Sequence, residues 1–233
     1  MGPAVSVGEP FAVAGIRNFG WVEPGLVARG EQPPLAESTF NGLYELGIRS
    51  VLSLRPDREP PTTRNPMAWP EYHLDDERRL AERAGLALRH APMADFSAPR
   101  PDEVAAALAA LDEAVASRPG VYVHCRAGAG RTAVVTGAWL VARGGTGDDA
   151  AALYQRFTAF HDRQLRIPPE QFAAHVRRLG RPFVWWSLRE IVAALGSPVV
   201  GAYALPDPEQ PPGAEAWPDG YRAALRPWRE RRP

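Results

Sequence analysis

Residues 121–145 read VYVHCRAGAGRTAVVTGAWLVARGG. VYVHC is mostly β-branched and aromatic, as strands are, and too apolar on both faces for an exposed edge. RTAVVTGAWLVA is an apolar run of helical length that ends before paired glycines. RAGAG between them is a strand-to-helix turn, and such a turn lies at the carboxyl edge of the sheet, where α/β proteins hold their ligands. Its small residues let successive backbone N–H groups point inward as a cradle for an anion, and the start of the helix adds positive potential there. The only cysteine of the chain, Cys125, stands at the mouth of the turn, a setting that favours the thiolate form. Arg131 can curl back and present its planar fork to phosphate oxygens. With five residues between Cys125 and Arg131, the loop closes around one tetrahedral anion.

Strands and helices alternate on both sides of this stretch. Upstream, FGWVEPGLVARG reads as two short strand-like pieces around a Pro-Gly turn, and ESTFNGLYELG as a helix with Phe40, Leu43 and Tyr44 on one face, stopped at Gly47. IRSVLSLR follows as a buried strand. The segment from Pro56 to Pro70 is rich in proline and reads as a long loop or insertion. YHLDDERRLAERAG has the pattern of a solvated helix, and LALRHAPM alternates Leu86, Leu88 and His90 as a strand does. The next helix opens on Pro101, puts Asp102 and Glu103 at the positive end of its dipole, and carries Val104, Leu108, Leu111 and Val115 as its stripe.

Downstream, DDAAALYQRFTAF and PPEQFAAHVRRLG are helical. PFVWWSLREIVAALG suits one more helix, which Trp185, Trp186, Leu188 and Ile191 would seat on the domain. Beyond Pro206 the chain is proline-rich, ends in RPWRERRP and reads as an irregular tail. The expected fold is α/β, a central, mostly parallel sheet flanked by helices, with a Pro/Trp-rich C-terminal extension. The expected organisation is a lead-in over 1–19, one domain over 20–180, and a helix and tail over 181–233.

The composition fits that reading and excludes others. A chain of 233 residues with 45% hydrophobic and 23% charged content has the balance of an ordinary globular protein and can bury a substantial core. Lys+Arg and Asp+Glu each number 27, so no bulk field attracts nucleic acid or anionic lipid. Every basic residue is arginine, which reads as coding bias. A lone cysteine forms no internal disulfide and suits a reducing compartment. The N-terminus lacks a secretory pattern, and the longest apolar stretch is too short to span a bilayer, so no stable membrane insertion and a cytoplasmic location are expected. The oligomeric state is not legible.

HCRAGAGRT resembles the Cys-x5-Arg-[Ser/Thr] signature of the protein tyrosine phosphatase superfamily, preceded by its usual histidine. GLVARGEQP and GIRSVLSLR resemble the N-terminal part of its compact dual-specificity-type members, so the likeness runs over roughly 20–180. It implies a phosphatase-like fold and a cysteinyl-phosphate mechanism without metal or other cofactor, on a phosphorylated protein or small phosphomonoester. Cys125 would be the nucleophile. Arg126, Ala127, Gly128, Ala129, Gly130 and Arg131 would bind phosphate, and His124 would hold the loop rather than act as a base. Thr132 would hydrogen-bond the leaving thiolate, although a plain place in the first helical turn is an equal reading.

A proton must still reach the leaving oxygen. Asp95, in PMADFSAPRP, lies after a strand, before a helix and among prolines, which favours it over Asp102, with its helix-start role, and over Asp57 on another loop. Thiol, arginine, threonine and acid together favour an enzyme over a catalytically weak phosphate-binding module. The preceding histidine and upstream aspartate argue against sulfur transferases and arsenate reductases. Among substrates, the loop offers Arg126, but position 129 is alanine where inositide-directed relatives often carry a second basic residue. That favours phosphotyrosine or mixed phosphoproteins over inositol phosphates or phosphoinositides. Arg58, Arg64 and Trp69 are candidates for a pocket rim, and Arg163 and Gln164 for positioning water or phosphate, with a solvated surface the plainer reading for each.

Overall fold

The computed structural model describes residues 10–60 and 71–233. Arg64 and Trp69 lie outside them. In chain order the strands are β1 (Phe11–Val13), β2 (Ile16–Glu23), β3 (Val27–Gly30), β4 (Ser50–Ser53), β5 (Arg58–Glu59), β6 (Tyr72–His73), β7 (Ala87–His90) and β8 (Val121–His124). Six of them form one sheet in the order β1-β2-β3-β8-β4-β7. β3, β8, β4 and β7 are parallel, and β1 and β2 extend the sheet antiparallel beside β3. The fold is the expected α/β architecture, and VYVH is its central strand.

Period-two alternation divides the core. Val121 and Val123 of β8 face one side, with Leu52 of β4. Tyr122 and Val51 face the other, with Ile16, Phe19, Phe40 and Leu43. The second side is covered by α1 (Glu37–Glu45) and α2 (Leu74–Arg83), the first by α3 (Pro101–Ser117), α4 (Arg131–Ala142) and α5 (Gly147–Leu165). From Arg131 to Val141 every residue of α4 is buried, so its apolar run is that of a helix enclosed all round.

Three segments differ from the sequence reading. The sheet begins before residue 20: β1 and the first half of β2 precede it, with Ile16 and Phe19 fully buried. The proline-rich insertion contains part of a ribbon, in which Arg58 pairs with His73 and Glu59 with Tyr72. Residues after 206 are not wholly irregular. After α6 (Pro169–Arg178) and α7 (Arg181–Ala194) come two short helices, α8 (Trp217–Ala224) and α9 (Arg226–Arg231). Two prolines of that stretch, Pro218 and Pro227, stand in the first turns of these helices, where a missing N–H costs nothing.

The segment after 180 shares the main core: Leu188, Ile191, Tyr221 and Leu225 are fully buried in the same cluster as Trp139 and Val123. Tyr221 Oη donates to the Pro99 carbonyl at 2.5 Å, and Trp228 Nε1 to Asp112 Oδ2 at 2.8 Å. Truncation at Leu188 therefore opens a cavity in the common core. Leu188→Ala should cost about 2–5 kcal/mol, with urea unfolding followed by tryptophan fluorescence and far-UV dichroism keeping one coincident transition. Two separate transitions would show that 181–233 folds independently.

Candidate active site

Residues 125–130 join β8 to α4, and the surroundings of this loop decide which way its peptide groups face. The Cys125 carbonyl lies 3.1 Å from His124 Nδ1, and the Arg126 carbonyl accepts from the Gln32 backbone N–H at 3.0 Å. The Ala127 carbonyl accepts from Asn18 Nδ2 at 2.9 Å, and the Gly128 carbonyl from Arg29 Nη2. Four successive carbonyls are thus bonded to the scaffold, an arrangement that leaves the opposite side of the loop to N–H groups. Gly128 is needed for it. Its φ is +70°, and a Cβ there would stand 2.4 Å from the Gly30 carbonyl carbon.

Cys125, Asp95, Phe96, Arg131, His161 and Arg181 line one pocket over this loop. Arg131 is buried at the first position of α4. Its Nη1 donates to Glu59 Oε1 at 2.8 Å, to the Met93 carbonyl at 3.2 Å and to the Leu54 carbonyl at 3.4 Å. The other edge is open: Nε and Nη2 have no hydrogen-bond acceptor, although Asp95 Oδ1 lies 3.1 Å from Nη2. Burial alone would weaken the protonated guanidinium, but the negative charges of Cys125, Asp95 and Glu59 outweigh it and raise the group above its ordinary value.

Glu59 is a site residue that the sequence reading missed. One carboxylate serves three buried arginines: Oε2 accepts from Arg55 Nε at 2.6 Å and Arg126 Nε at 3.1 Å, while Oε1 takes Arg131. Burial pushes Glu59 up, and Arg131, Arg55 and Arg126 together hold it below the usual carboxylate range. Arg126 is therefore a wall of the site rather than a loose basic group at its mouth, with Nη2 also donating to the Pro60 carbonyl at 3.1 Å.

A second buried network backs the strand end. His124 Nε2 lies 2.8 Å from Glu77 Oε1, Tyr72 Oη donates to Glu77 Oε2 at 2.6 Å, and Ser53 Oγ lies 3.0 Å from the same hydroxyl. Burial would raise the Glu77 carboxyl, but the facing His124 and hydrogen bonds from His124, Tyr72 and Gln32 lower it. The buried Thr132 hydroxyl has no hydrogen-bond partner.

Of the alternative acids, Asp102 is exposed and bonded to Arg100, and Asp57 is exposed with His90 Nδ1 at 3.5 Å. Neither lines the pocket. Arg58 is exposed on β5 and also outside it. Arg163 and Gln164 line other depressions, whereas His161, just before them on α5, lines the pocket. Burial, then the charge of Arg181, pulls His161 down to about 4, so its ring is neutral at pH 7. Arg181 is held by both oxygens of Asp162 at 2.5 Å.

The family described as Tc-R-P, polymorphic toxin system, DSP-PTPase phosphatase, matches residues 29–145, half of the chain. The chain belongs to this dual-specificity-type phosphatase family. Similar solved structures include a DUF442 protein from Shewanella putrefaciens CN-32 (24% identity, 70% of this chain and 92% of that one, TM-score 0.46). They also include the core catalytic domain of the PP-IP phosphatase SIW14 from S. cerevisiae (20%, 75% and 98%, 0.46) and P. aeruginosa TpbA in complex with phosphotyrosine (17%, 76% and 98%, 0.49). At that likeness none of their ligands is transferred to this phosphatase. No described helix is long and apolar enough to cross a membrane.

The lowered carboxyls make stability depend on acid. A carboxylate held below its unfolded value, about 4.3 for Glu, stabilises the fold above that pH, and the contribution is lost as pH falls through the folded value. Glu77→Gln should cost about 1.5–3 kcal/mol at pH 7, because the Tyr72 hydroxyl and the His124 ring lose a charged acceptor. The loss should shrink as pH falls below about 4.3, so that thermal melts of variant and wild type draw together on acidification. Parallel melting curves down to pH 3 would remove Glu77 from that role.

Proposed function

We propose that this phosphatase hydrolyses phosphomonoesters through a cysteinyl-phosphate on Cys125, with phosphotyrosine or mixed phosphoproteins as substrates. The observation that carries the reading is the open Nε–Nη2 edge of Arg131 in the pocket that Cys125 lines. This edge makes no hydrogen bond, with only Asp95 Oδ1 near Nη2 at 3.1 Å, and it fits two oxygens of a phosphoryl group and follows them as the group flattens.

In the first step the Cys125 thiolate attacks phosphorus, the S–P bond forms and the P–O bond to the leaving group breaks. Asp95 gives its proton to the departing oxygen. In the second step water attacks phosphorus, Asp95 accepts its proton, the S–P bond breaks and inorganic phosphate leaves. The unpartnered Thr132 hydroxyl is available to donate to the returning thiolate. Asp95 suits the acid role because it lines the pocket beside Arg131 while its Oδ2 has no hydrogen-bond partner.

The charge balance favours a single phosphoryl group. Arg181 is matched by Asp162, while Arg55, Arg126 and Arg131 share Glu59, with Asp95 beside the last two, so the surplus of positive charge around the pocket is small. A ligand with several phosphates would need further cations, and residue 129 supplies none.

Cys125→Ser should abolish turnover while phosphate binding persists. Asp95→Asn should cost about 10²–10⁴-fold with tyrosyl phosphate and far less with nitrophenyl phosphate, whose leaving group departs as an anion. Equal losses on both would take the acid role from Asp95, and near wild-type activity of Cys125→Ser would end the covalent reading. A panel of phosphopeptides and inositol phosphates assayed side by side tests the substrate class.

A further inference from the structure

Five arginines are buried among the described residues: Arg29, Arg55, Arg126, Arg131 and Arg181. Four have a carboxylate within ion-pair distance, the first three of these on Glu59 and the last on Asp162. Arg29 has none. It is fully buried at the end of β3, beneath the phosphate-binding loop. Its Nη2 donates to the Gly128 carbonyl, its Nη1 to Thr136 Oγ1 at 3.2 Å, and its guanidinium carbon lies 4.0 Å over the Phe157 ring. Nε has no acceptor.

A buried cation without a counter-charge is costly, and a structural hydrogen bond to Gly128 does not require one, because a neutral amide can donate as well. Of the groups the guanidinium touches, Thr136 and Phe157 carry no charge, and the Gly128 carbonyl belongs to the loop that begins at Cys125. We infer that Arg29 is a positioning residue whose counter-anion is the Cys125 thiolate, and, once substrate is bound, the phosphoryl group above the same loop. Burial draws the Arg29 guanidinium down to about 9, and Cys125 is the group that most opposes this, ahead of Tyr122 and Tyr154. Of the other titratable groups near the loop, His124 faces Glu77, Arg126 and Arg131 share Glu59 and have Asp95 beside them, and His161 in the pocket wall is pulled down to about 4 by burial and Arg181. The inference rests on the reading of Cys125 as nucleophile and adds a second cation, behind the loop, to the Arg131 fork in front of it.

The test compares Arg29→Gln, which keeps a donor for Gly128 and loses the charge, with Arg29→Lys, which keeps the charge. The readout is the pH dependence of Cys125 alkylation by iodoacetamide, followed by mass spectrometry, beside turnover of nitrophenyl phosphate. The Arg29→Gln midpoint should rise by roughly one unit or more, the shift an opposite charge a few ångströms away produces, with the acid limb of turnover moving alongside. Arg29→Lys should bring the midpoint back towards wild type. A midpoint that stays put in folded Arg29→Gln overturns the inference.

Where Arg29→Gln does not fold, Cys125→Ser decides, because it keeps the cation and removes its anion. Its melting temperature at pH 8 should fall several degrees below wild type, with inorganic phosphate closing the gap, and equal melting temperatures without phosphate overturn the inference. If alkylation of Cys125 leaves turnover intact, the covalent mechanism itself fails, whatever the midpoints do.

Discussion

The carbonyls of Cys125, Arg126, Ala127 and Gly128 are each bonded to a donor outside their loop, and the rest of the site depends on that. A peptide group has two ends, so fixing the oxygen on the scaffold side commits the N–H to the other. The donors come from the end of β8, from β2 and from the strand end and turn that follow β3. This explains why the antiparallel edge belongs to the functional unit. Asn18 spans two duties, giving Nδ2 to Ala127 and accepting the Glu31 N–H on Oδ1 at 2.7 Å. A shift of β2 by one residue would turn Asn18 to the other face and release the loop.

Arginine chemistry then sets the front of the site. A single carboxylate, Glu59, orients Arg55, Arg126 and Arg131, which is possible because each guanidinium offers several donors in a fixed plane and can be held by one edge while the other stays open. An ammonium in place of Arg131 would be a point charge, fixed by Glu59 with no second edge left to face the pocket. Glu59 enters by the short β5–β6 ribbon, so this ribbon supplies an orienting group to a loop built on a different sheet.

The strand, turn and helix of 121–145 were legible because each is determined locally: by β-branched residues, by small residues and by a continuous apolar run. Cys125, Arg131 and their spacing followed from the same stretch. The supporting residues were not legible, for a physical reason. Glu77 lies in LDDERRLAER, where its neighbours are solvated charges and only the tertiary structure buries this one against His124. Glu59 stands among prolines that carry no periodicity, and Arg29 looks like any strand-end arginine until its partners are known. His161 lies on the same helix end as Arg163 and Gln164, and helical phase alone could not say which of them turns inward. The helices beyond 206 were missed because the tail was judged on its proline-rich composition, which does not say that Pro218 and Pro227 stand in first helical turns.

The segment beyond 180 also bears on the chemistry through the loop that carries Asp95. Phe96 adopts a left-handed conformation, φ 57°, which costs a non-glycine residue energy and persists only where the surroundings fix it. Those surroundings lie at the turn between α6 and α7 and on α8. Gly180 packs so closely that a Cβ would stand 2.2 Å from the Phe96 carbonyl oxygen, and Tyr221 Oη binds the Pro99 carbonyl. The strained loop is held at both ends by residues that come late in the sequence, next to Arg181 in the pocket wall. The C-terminal segment thus forms part of the frame that positions Asp95. The cysteine loop gets its geometry from strands β2, β3 and β8, the Asp95 loop gets its own from the α6–α7 turn and α8, and the pocket forms where the two meet.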